Sequence, residues 1–527
     1  MRVFTLLLLA SGLSFAQIPK SPAPNRPKLV LLIAVDQLRY DYLTRFRDEY
    51  KGGFDKLLRS GANYVNAHLE HYPTVTAVGH STMMSGATPN ISGIIGNDWY
   101  DRATGKTVTS VSDDATRLLG AGDAKGSSPR RLLVSTIGDE MKRARRDAPK
   151  VIGISMKDRS AILPSGHMAD AAYWFDNKAG TFVSSTYYFP ALPDWVQAFN
   201  QSRSVDKYAG VDWTFDKSSS TGTLKMPATP GADLGAAVYK SPFGNEILLQ
   251  FIEEAIRREK IGQRAATDLL TVSFSSNDAV GHEWGPDSPQ VHDTSIRTDA
   301  LLAKFFASLD RSIGMQNVLV ILTADHGVSP VPEDLIKDKM PGGRLPSASL
   351  FDPMEKALAD RYGGGKWVLS TAGSSPYLNW PLISAQKLNA QEVEQTAADA
   401  IAQVPQVSRV FTRHQLTHAQ VTVDQFSQRV IRSFHTQRSG DLEILLDPNW
   451  LRSTAEESKG TTHGAPYSYD SHIPLILMGP SIKPGRYVRN VALNDLAASL
   501  ATMLDIETPS GCVGQPLHEM MSFSPFR

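Results

Sequence analysis

Five stretches of the chain are apolar at nearly every position: residues 28–35, 151–156, 268–275, 317–323 and 473–478. An apolar run of that length without alternation predicts a strand buried on both faces, because a strand with one wet face would alternate with period two. Between these runs, residues 130–145, 245–260, 295–313 and 494–504 carry apolar positions three and four apart, which predicts amphipathic helices. Buried strands alternating with such helices predict an α/β fold, with a mostly parallel central sheet covered by helices on both sides. Two stretches break the rhythm. Residues 165–235 are rich in Tyr, Trp, Ser and Gly, and residues 328–440 carry strand–helix–strand patterns of their own, including a helix over 390–404. Both read as cap elements inserted above one three-layer α/β/α core, which then comprises residues 28–164, 236–327 and 441–527.

Composition narrows the class. The 527 residues are 41% apolar and 20% charged, a globular balance that excludes a disordered chain or a long coiled coil. Lys and Arg number 54, as do Asp and Glu, so the net charge is zero. A protein held mainly by nucleic acid or an anionic membrane needs a cationic surplus, so any anion binding here is local and no nucleic acid is required. At the N-terminus, Arg2, an apolar run over 3–10 and Ser14-Phe15-Ala16 predict a secretory signal peptide over residues 1–16. That run is shorter than the ~20 residues needed to span a bilayer. The single cysteine, Cys512, leaves no internal disulfide, no thiolate zinc site and no lipidation site behind the cut. A periplasmic or secreted monomer without a membrane anchor is the expectation.

The residues at the ends of the buried strands carry the chemistry. The first run ends in Asp36, the third in Asn277-Asp278 with His282 beyond, and the fourth in Asp325-His326-Gly327. Thr461-Thr462-His463-Gly464 precedes the last run. Ligands of open α/β sheets sit beyond the carboxyl ends of the strands, so these residues converge on one edge. Their oxygen and nitrogen donors suit zinc or manganese better than copper(I) or an iron–sulfur cluster. Singly, Asp36 reads equally well as a helix cap and either histidine as an ordinary core or surface residue. Together they describe a site. Thr76 stands at the start of a small-residue helix ending at Gly86 or Pro89. Its hydroxyl is either a cap or a nucleophile that a bound cation would favour as the alkoxide.

Asp36, Thr76-x-x-x-His80, Asp278-x-x-x-His282, Thr323-Ala324-Asp325-His326-Gly327 and Thr462-His463-Gly464 resemble, in order, the metal-site motifs of the alkaline phosphatase superfamily. Gly96-Asn97-Asp98-Trp99-Tyr100 and Lys157-Asp158-Arg159 resemble those of its periplasmic phosphate-irrepressible alkaline phosphatases, close to the nucleotide pyrophosphatase/phosphodiesterase branch. The chain departs from many of these relatives at Val78, where they carry proline.

The resemblance implies two zinc ions, one held by Asp278, His282 and His463, the other by Asp36, Asp325 and His326 with Thr76 bridging to it. It also implies that Thr76 attacks phosphorus to form a phosphothreonine. The first zinc would stabilise the leaving alkoxide and supply the hydroxide that releases phosphate. Lys157 and Arg159 come directly after the run at 151–156, and with Asn97 they would meet the charged oxygens of a phosphate monoester. Without the resemblance, Lys157-Asp158-Arg159 reads equally well as a solvated turn. Sulfatases carry a C/S-x-P-x-R pattern where this chain has Thr76-Ala77-Val78-Gly79-His80. Cofactor-independent phosphoglycerate mutases and phosphopentomutases are cytosolic, which conflicts with the leader. The expectation is a zinc-dependent hydrolase of small-molecule phosphate monoesters. A phosphodiesterase or nucleotide pyrophosphatase and a silent phosphate-binding relative are the alternatives.

Overall fold

A computed structural model describes residues 25–523 apart from 123, 145–147 and 454–458; the leader expected at 1–16 lies outside the described residues. Among the described residues, eleven strands form one sheet. In chain order they are β1 Leu29–Val35, β2 Ala62–His68, β3 Ser112–Leu119, β4 Lys125–Ser127, β5 Val151–Ser155 and β6 Ala171–Asp176. They continue with β7 Thr181–Ser185, β8 Asp268–Phe274, β9 Val318–Thr323, β10 His472–Met478 and β11 Gly485–Ala492. Across the sheet the order is β11-β2-β10-β9-β1-β8-β5-β6-β7-β3-β4.

The five apolar runs form β1, β5, β8, β9 and β10, and every residue of β1, β8 and β9 is buried. Helices account for that. Gly53–Ser60 (α1), Pro242–Glu259 and Pro289–Ser312 pack in one layer; Thr76–Ser85 (α2), Ile137–Arg143 (α3), Asp158–Ser165 (α4) and Asp495–Leu504 pack in the other. Burying one Leu or Ile side chain contributes roughly 1.5–3 kcal/mol, so a sheet covered on both faces is the main source of stability here. Two helix starts differ from the periodicity. Thr136 and Asp139 form a reciprocal capping box that starts α3 at Ile137, not at residue 130. Ser288 caps the helix Pro289–Ser312, with proline at its first position, so that helix begins before residue 295.

Register positions the site. β1 pairs in parallel with β8 (Leu29↔Asp268, Val35↔Phe274) and with β9 (Leu29↔Val318, Ala34↔Thr323). Asp36, the segment after Phe274 and Ala324-Asp325-His326 therefore emerge level with one another. β10 is antiparallel to β9 (Thr323↔Leu475), so its amino end lies at that same edge and brings the preceding loop with it.

Two boundaries expected from sequence move. β6 and β7 lie inside residues 165–235 and join the main sheet, so that stretch extends the core before it becomes an excursion. β6 is apolar from Ala171 to Phe175, but the Tyr, Trp, Ser and Gly content of the whole stretch masked it, and β7 ends in two serines. Residues 328–440 do build a separate apolar cluster, around Met354, Leu358, Trp367, Val393 and Ile401, but Leu442 and Ile444 complete it. This cap therefore runs past residue 440, because strand Val407–Thr412 needs Leu442–Leu446 as its partner.

The second cap buries a carboxyl group that has no ion-pair partner among the described residues. Glu443 Oε2 accepts a hydrogen bond from the Ser375 hydroxyl at 2.9 Å, and burial pushes its pKa from 4.5 up to about 7 despite that bond. The folded chain thus holds this proton more tightly than the unfolded chain. The associated stability is complete below the unfolded value and is lost as pH rises through the folded one. Glu443→Gln should flatten the fall in the chemical-denaturation midpoint between about pH 4.5 and about pH 7 and should raise the midpoint at about pH 8, by on the order of 1 kcal/mol or more. Superimposable midpoint-against-pH curves for parent and variant would contradict this.

Candidate active site

The strand ends assemble a buried cluster of carboxylates and imidazoles. Asp36 leaves β1. Asp278 and His282 sit one turn apart on α5, Ser276–Trp284, directly after β8. Asp325 and His326 leave β9, and His463 arrives on the loop before β10. Asp278 Oδ1 lies 3.2 Å from His282 Nε2 and 3.6 Å from His463 Nε2. His326 Nε2 lies 3.3 Å from Asp325 Oδ2 and 3.6 Å from Asp36 Oδ1. Asp36, Asp325 and His326 are fully buried.

Each histidine is fixed from behind. Nδ1 of His282 donates to Thr461 O, that of His326 to Gly327 O and that of His463 to Thr74 O, at 2.8, 2.9 and 2.8 Å. A carbonyl oxygen only accepts, so Nδ1 carries the proton of the neutral ring, and in that form each Nε2 turns a lone pair toward the carboxylates. This is how protein ligands to metals are usually oriented. Asp36 Oδ1 and Asp325 Oδ2 are buried with no hydrogen-bond partner among the described residues. A donor set of lone pairs facing lone pairs fits divalent cations. Two groups have ligand atoms within 4.8 Å of one another: Asp278, His282 and His463, and Asp36, Asp278 and His326. The first matches the expected trio. In the second, Asp278 takes the place expected for Asp325, which lies against His326 beside it.

Charge explains the titration of these groups. Burial and neighbouring Asp325 push Asp36 well above the ordinary carboxylate range. Burial acts in the same direction on Asp278, but His282 and Lys157 outweigh it and hold Asp278 well below. Burial and the neighbouring rings of His326 and His282 push His463 far down, which keeps it neutral.

Thr76 opens α2, a helix buried at every position. Its Oγ1 lies 3.4 Å from both His326 Nε2 and Lys157 Nζ. Small residues bring the helix this close: a Cβ on Gly79 would stand 2.3 Å from the Asp325 carbonyl oxygen. Thr74, two residues before Thr76, is committed elsewhere, donating to Ala465 O at 2.9 Å. Asn97 Oδ1 accepts from the Ala77 N–H at 2.9 Å, and Asn97 lines the cleft in front of Thr76.

Lys157 and Arg159 separate. Lys157 Nζ lies 2.6 Å from both Asp36 Oδ2 and Asp278 Oδ2, inside the cluster. Arg159, in the first turn of α4, pairs with Asp158 at 3.8 Å and makes no hydrogen bond or ion pair to the cluster among the described residues; its Nε is buried without a partner. The cleft holds about 800 Å³ and is walled by Tyr72 and Tyr239 from the core and by Ile444, Leu446 and Trp450 from the second cap.

Two further residues support the site, His80 from the Thr76-x-x-x-His80 motif and Asp470, which has no spacing signal in the sequence. His80 is one turn beyond Thr76; its Nδ1 donates to Thr76 O at 2.9 Å and lies 3.2 Å from Asp325 Oδ2. Asp470 ties three loops together. Its Oδ2 accepts from Thr74 Oγ1 at 3.2 Å and from the N–H groups of Gly464 and Ala465 at 2.8 and 2.7 Å. Its carbonyl accepts from the Gly327 N–H at 2.7 Å.

The type I phosphodiesterase / nucleotide pyrophosphatase family model matches residues 30–467. A calcium-transporting ATPase of Myroides odoratus is 37% identical, over 94% of this chain and 95% of its own. Alkaline phosphatase PafA of Elizabethkingia meningoseptica is 35% identical over 98% of each chain. A crystal structure of alkaline phosphatase PafA superposes with a TM-score of 0.87 at 35% identity, covering 95% of this chain and 100% of that one. A second PafA structure carries Thr→Ser, Asn→Ala, Lys→Ala and Arg→Ala substitutions.

The Asp470 clamp makes a prediction about loop order. Asp470→Ala strands the Gly464 and Ala465 N–H groups, at a cost of about 1–3 kcal/mol for each group left unsatisfied. Amide hydrogen exchange at Gly464 and Ala465 should accelerate and the denaturation midpoint should fall. Asp470→Asn keeps an acceptor oxygen and should retain most of the protection. Parental exchange in the Ala variant would remove Asp470 from this role.

Proposed function

The chain belongs to the type I phosphodiesterase / nucleotide pyrophosphatase family, and we propose that it works there as an alkaline phosphatase, hydrolysing small-molecule phosphate monoesters with Thr76 as nucleophile at a site for two zinc ions. The observation that carries this reading is the hydroxyl of Thr76, 3.4 Å from Lys157 Nζ and His326 Nε2, at the rim of a carboxylate–imidazole cluster. Hydrolysis, not ion transport, is the function carried over from the relatives, because these strand-end residues form a nucleophile beside a cation site.

Asp278, His282 and His463 would hold one zinc; Asp36, Asp325 and His326 would hold the other, with Asp278 close enough to serve both. Cations held there would supply positive charge for the phosphoryl oxygens and for the attacking and leaving oxygens. Thr76 Oγ attacks phosphorus, the ester oxygen departs, and a phosphothreonine forms; water then cleaves that bond and restores the hydroxyl. Asn97, held by the Ala77 N–H, offers its amide N–H groups to a phosphoryl oxygen. Lys157 adds a charge-assisted donor next to Thr76. Arg159, paired here with Asp158, would serve the same group as a second cationic donor. The same four residue types, in the same chain order, are those replaced in the PafA variant structure. The leader read in residues 1–16 extends the proposal to a periplasmic or secreted location, which cell fractionation checks.

Two outcomes test the reading. Thr76→Ala should lower kcat on an aryl phosphate monoester by on the order of a thousandfold or more, and Thr76→Ser should keep substantial activity. Acid-quenched parent enzyme should carry phosphate on Thr76 in peptide mass spectra. A near-parental Ala variant would displace Thr76 from the scheme.

The second outcome separates monoesters from diesters. Charged hydrogen bonds are worth about 1.5–3 kcal/mol each, so Lys157→Ala with Arg159→Ala should cost monoester kcat/KM on the order of a hundredfold or more. Hydrolysis of the matching methyl diester should fall much less, because it offers fewer charged oxygens. The ratio is the observable, since damage to the cation site lowers both rates together. An unchanged ratio would favour the diesterase reading.

A further inference from the structure

Gln37 occupies a place that nothing in the catalytic scheme requires of it. It comes directly after Asp36 and is buried, yet its φ is +67°, in the left-handed region that non-glycine residues seldom adopt. Such a conformation is strained and persists only where surrounding contacts impose it. Here the contacts are to both halves of the cation site. The backbone N–H donates to Asp325 Oδ1 at 3.2 Å, and the side-chain Nε2 donates to Asp278 Oδ1 at 2.7 Å. Because a carboxylate only accepts, the amide nitrogen must face Asp278.

The amide oxygen has its own reserved space. A Cβ on Gly281 would stand 1.7 Å from Gln37 Oε1, so the glycine one residue before His282 is what lets the carboxamide lie against α5. Asp278 belongs to both candidate groups: its Oδ1 faces His282 and His463, and its Oδ2 faces Asp36 across Lys157. Gln37 thus holds the oxygen that points to one group while its backbone holds Asp325 beside the other.

We propose that Gln37 is a positioning residue that fixes the carboxylates of Asp278 and Asp325 relative to each other, and so sets the spacing and affinity of the two cations. This rests on the two-cation reading of the site. The strained backbone is what brings a main-chain donor and a side-chain donor of one residue to bear on both carboxylates at once. Substitutions of groups that orient metal ligands typically weaken binding by about 10- to 100-fold.

The test is a zinc titration of the full chain against a competing chelator, with activity left aside. Gln37→Met keeps the length and the backbone N–H but removes the side-chain donor. Gly281→Ala displaces the carboxamide without changing residue 37. Each variant, with parental circular dichroism, should bind at least one zinc about tenfold or more weakly than the parent. Should Gln37→Met fail to reach the parental spectrum, Gly281→Ala decides alone. Parental affinity for both zinc ions in a folded variant overturns the role of Gln37. A parent that binds no zinc overturns the cation reading itself, which distinguishes the two failures.

Discussion

Lone pairs face lone pairs at the carboxyl edge of the sheet, and that is the constraint on which the rest of the molecule depends. Asp36, Asp278 and Asp325 bring carboxylates, and His282, His326 and His463 bring Nε2 atoms whose protons are locked on the opposite ring nitrogen. Buried carboxylates repel one another unless a cation stands between them. Lys157 supplies one positive charge, paired with Asp36 and Asp278, and among the described residues two carboxylate oxygens, Asp36 Oδ1 and Asp325 Oδ2, still accept no hydrogen bond. A fold can hold such a cluster only if its backbone is stiff. Here the stiffness comes from level parallel strands and from an antiparallel β10 that delivers its preceding loop to the same edge.

The cluster also sets how closely its supports must pack. α2 lies against the Asp325 backbone at a distance only Gly79 permits, and this brings Thr76 within reach of His326 and Lys157. Asp470 holds the Thr74, Gly464 and Gly327 segments from one carboxyl group and one carbonyl. The second cap then supplies the far wall of a cleft of about 800 Å³, with Ile444, Leu446 and Trp450 opposite Tyr72 and Tyr239. The core and the second cap thus both line the cleft beside the cluster.

Much of this was legible in the sequence for a physical reason. Strands buried on both faces leave continuous apolar runs, and the residues that end those runs must arrive at one sheet edge, so Asp36, Asp278, His282, Asp325 and His326 could be grouped before any fold was known. His463 was legible only by its motif, because its place depends on β10 running antiparallel. The strands β2 and β11 were hidden: β2 interrupts its apolar positions with Asn63 and Asn66, and β11 is an exposed edge carrying Arg486 and Arg489. β6 and β7 were hidden inside a stretch whose Tyr, Trp, Ser and Gly content reads as an insertion. Gln37 and Asp470 left no trace, because a single polar residue acting through hydrogen bonds creates neither period nor spacing. Lys157 and Arg159 were placed at the right edge, but adjacency in sequence could not show that one enters the cluster while the other turns to Asp158.

The central claim is that this cluster binds two cations at defined places. The most direct measurement is a crystal structure of the zinc-replete protein with anomalous diffraction data collected on both sides of the zinc absorption edge. The account predicts two anomalous peaks, one among Asp278, His282 and His463 and one beside Asp36, Asp325 and His326, with Thr76 Oγ facing the second. A single peak, or peaks lying outside these residues while the Asp36 and Asp325 oxygens stay unpartnered, would contradict it.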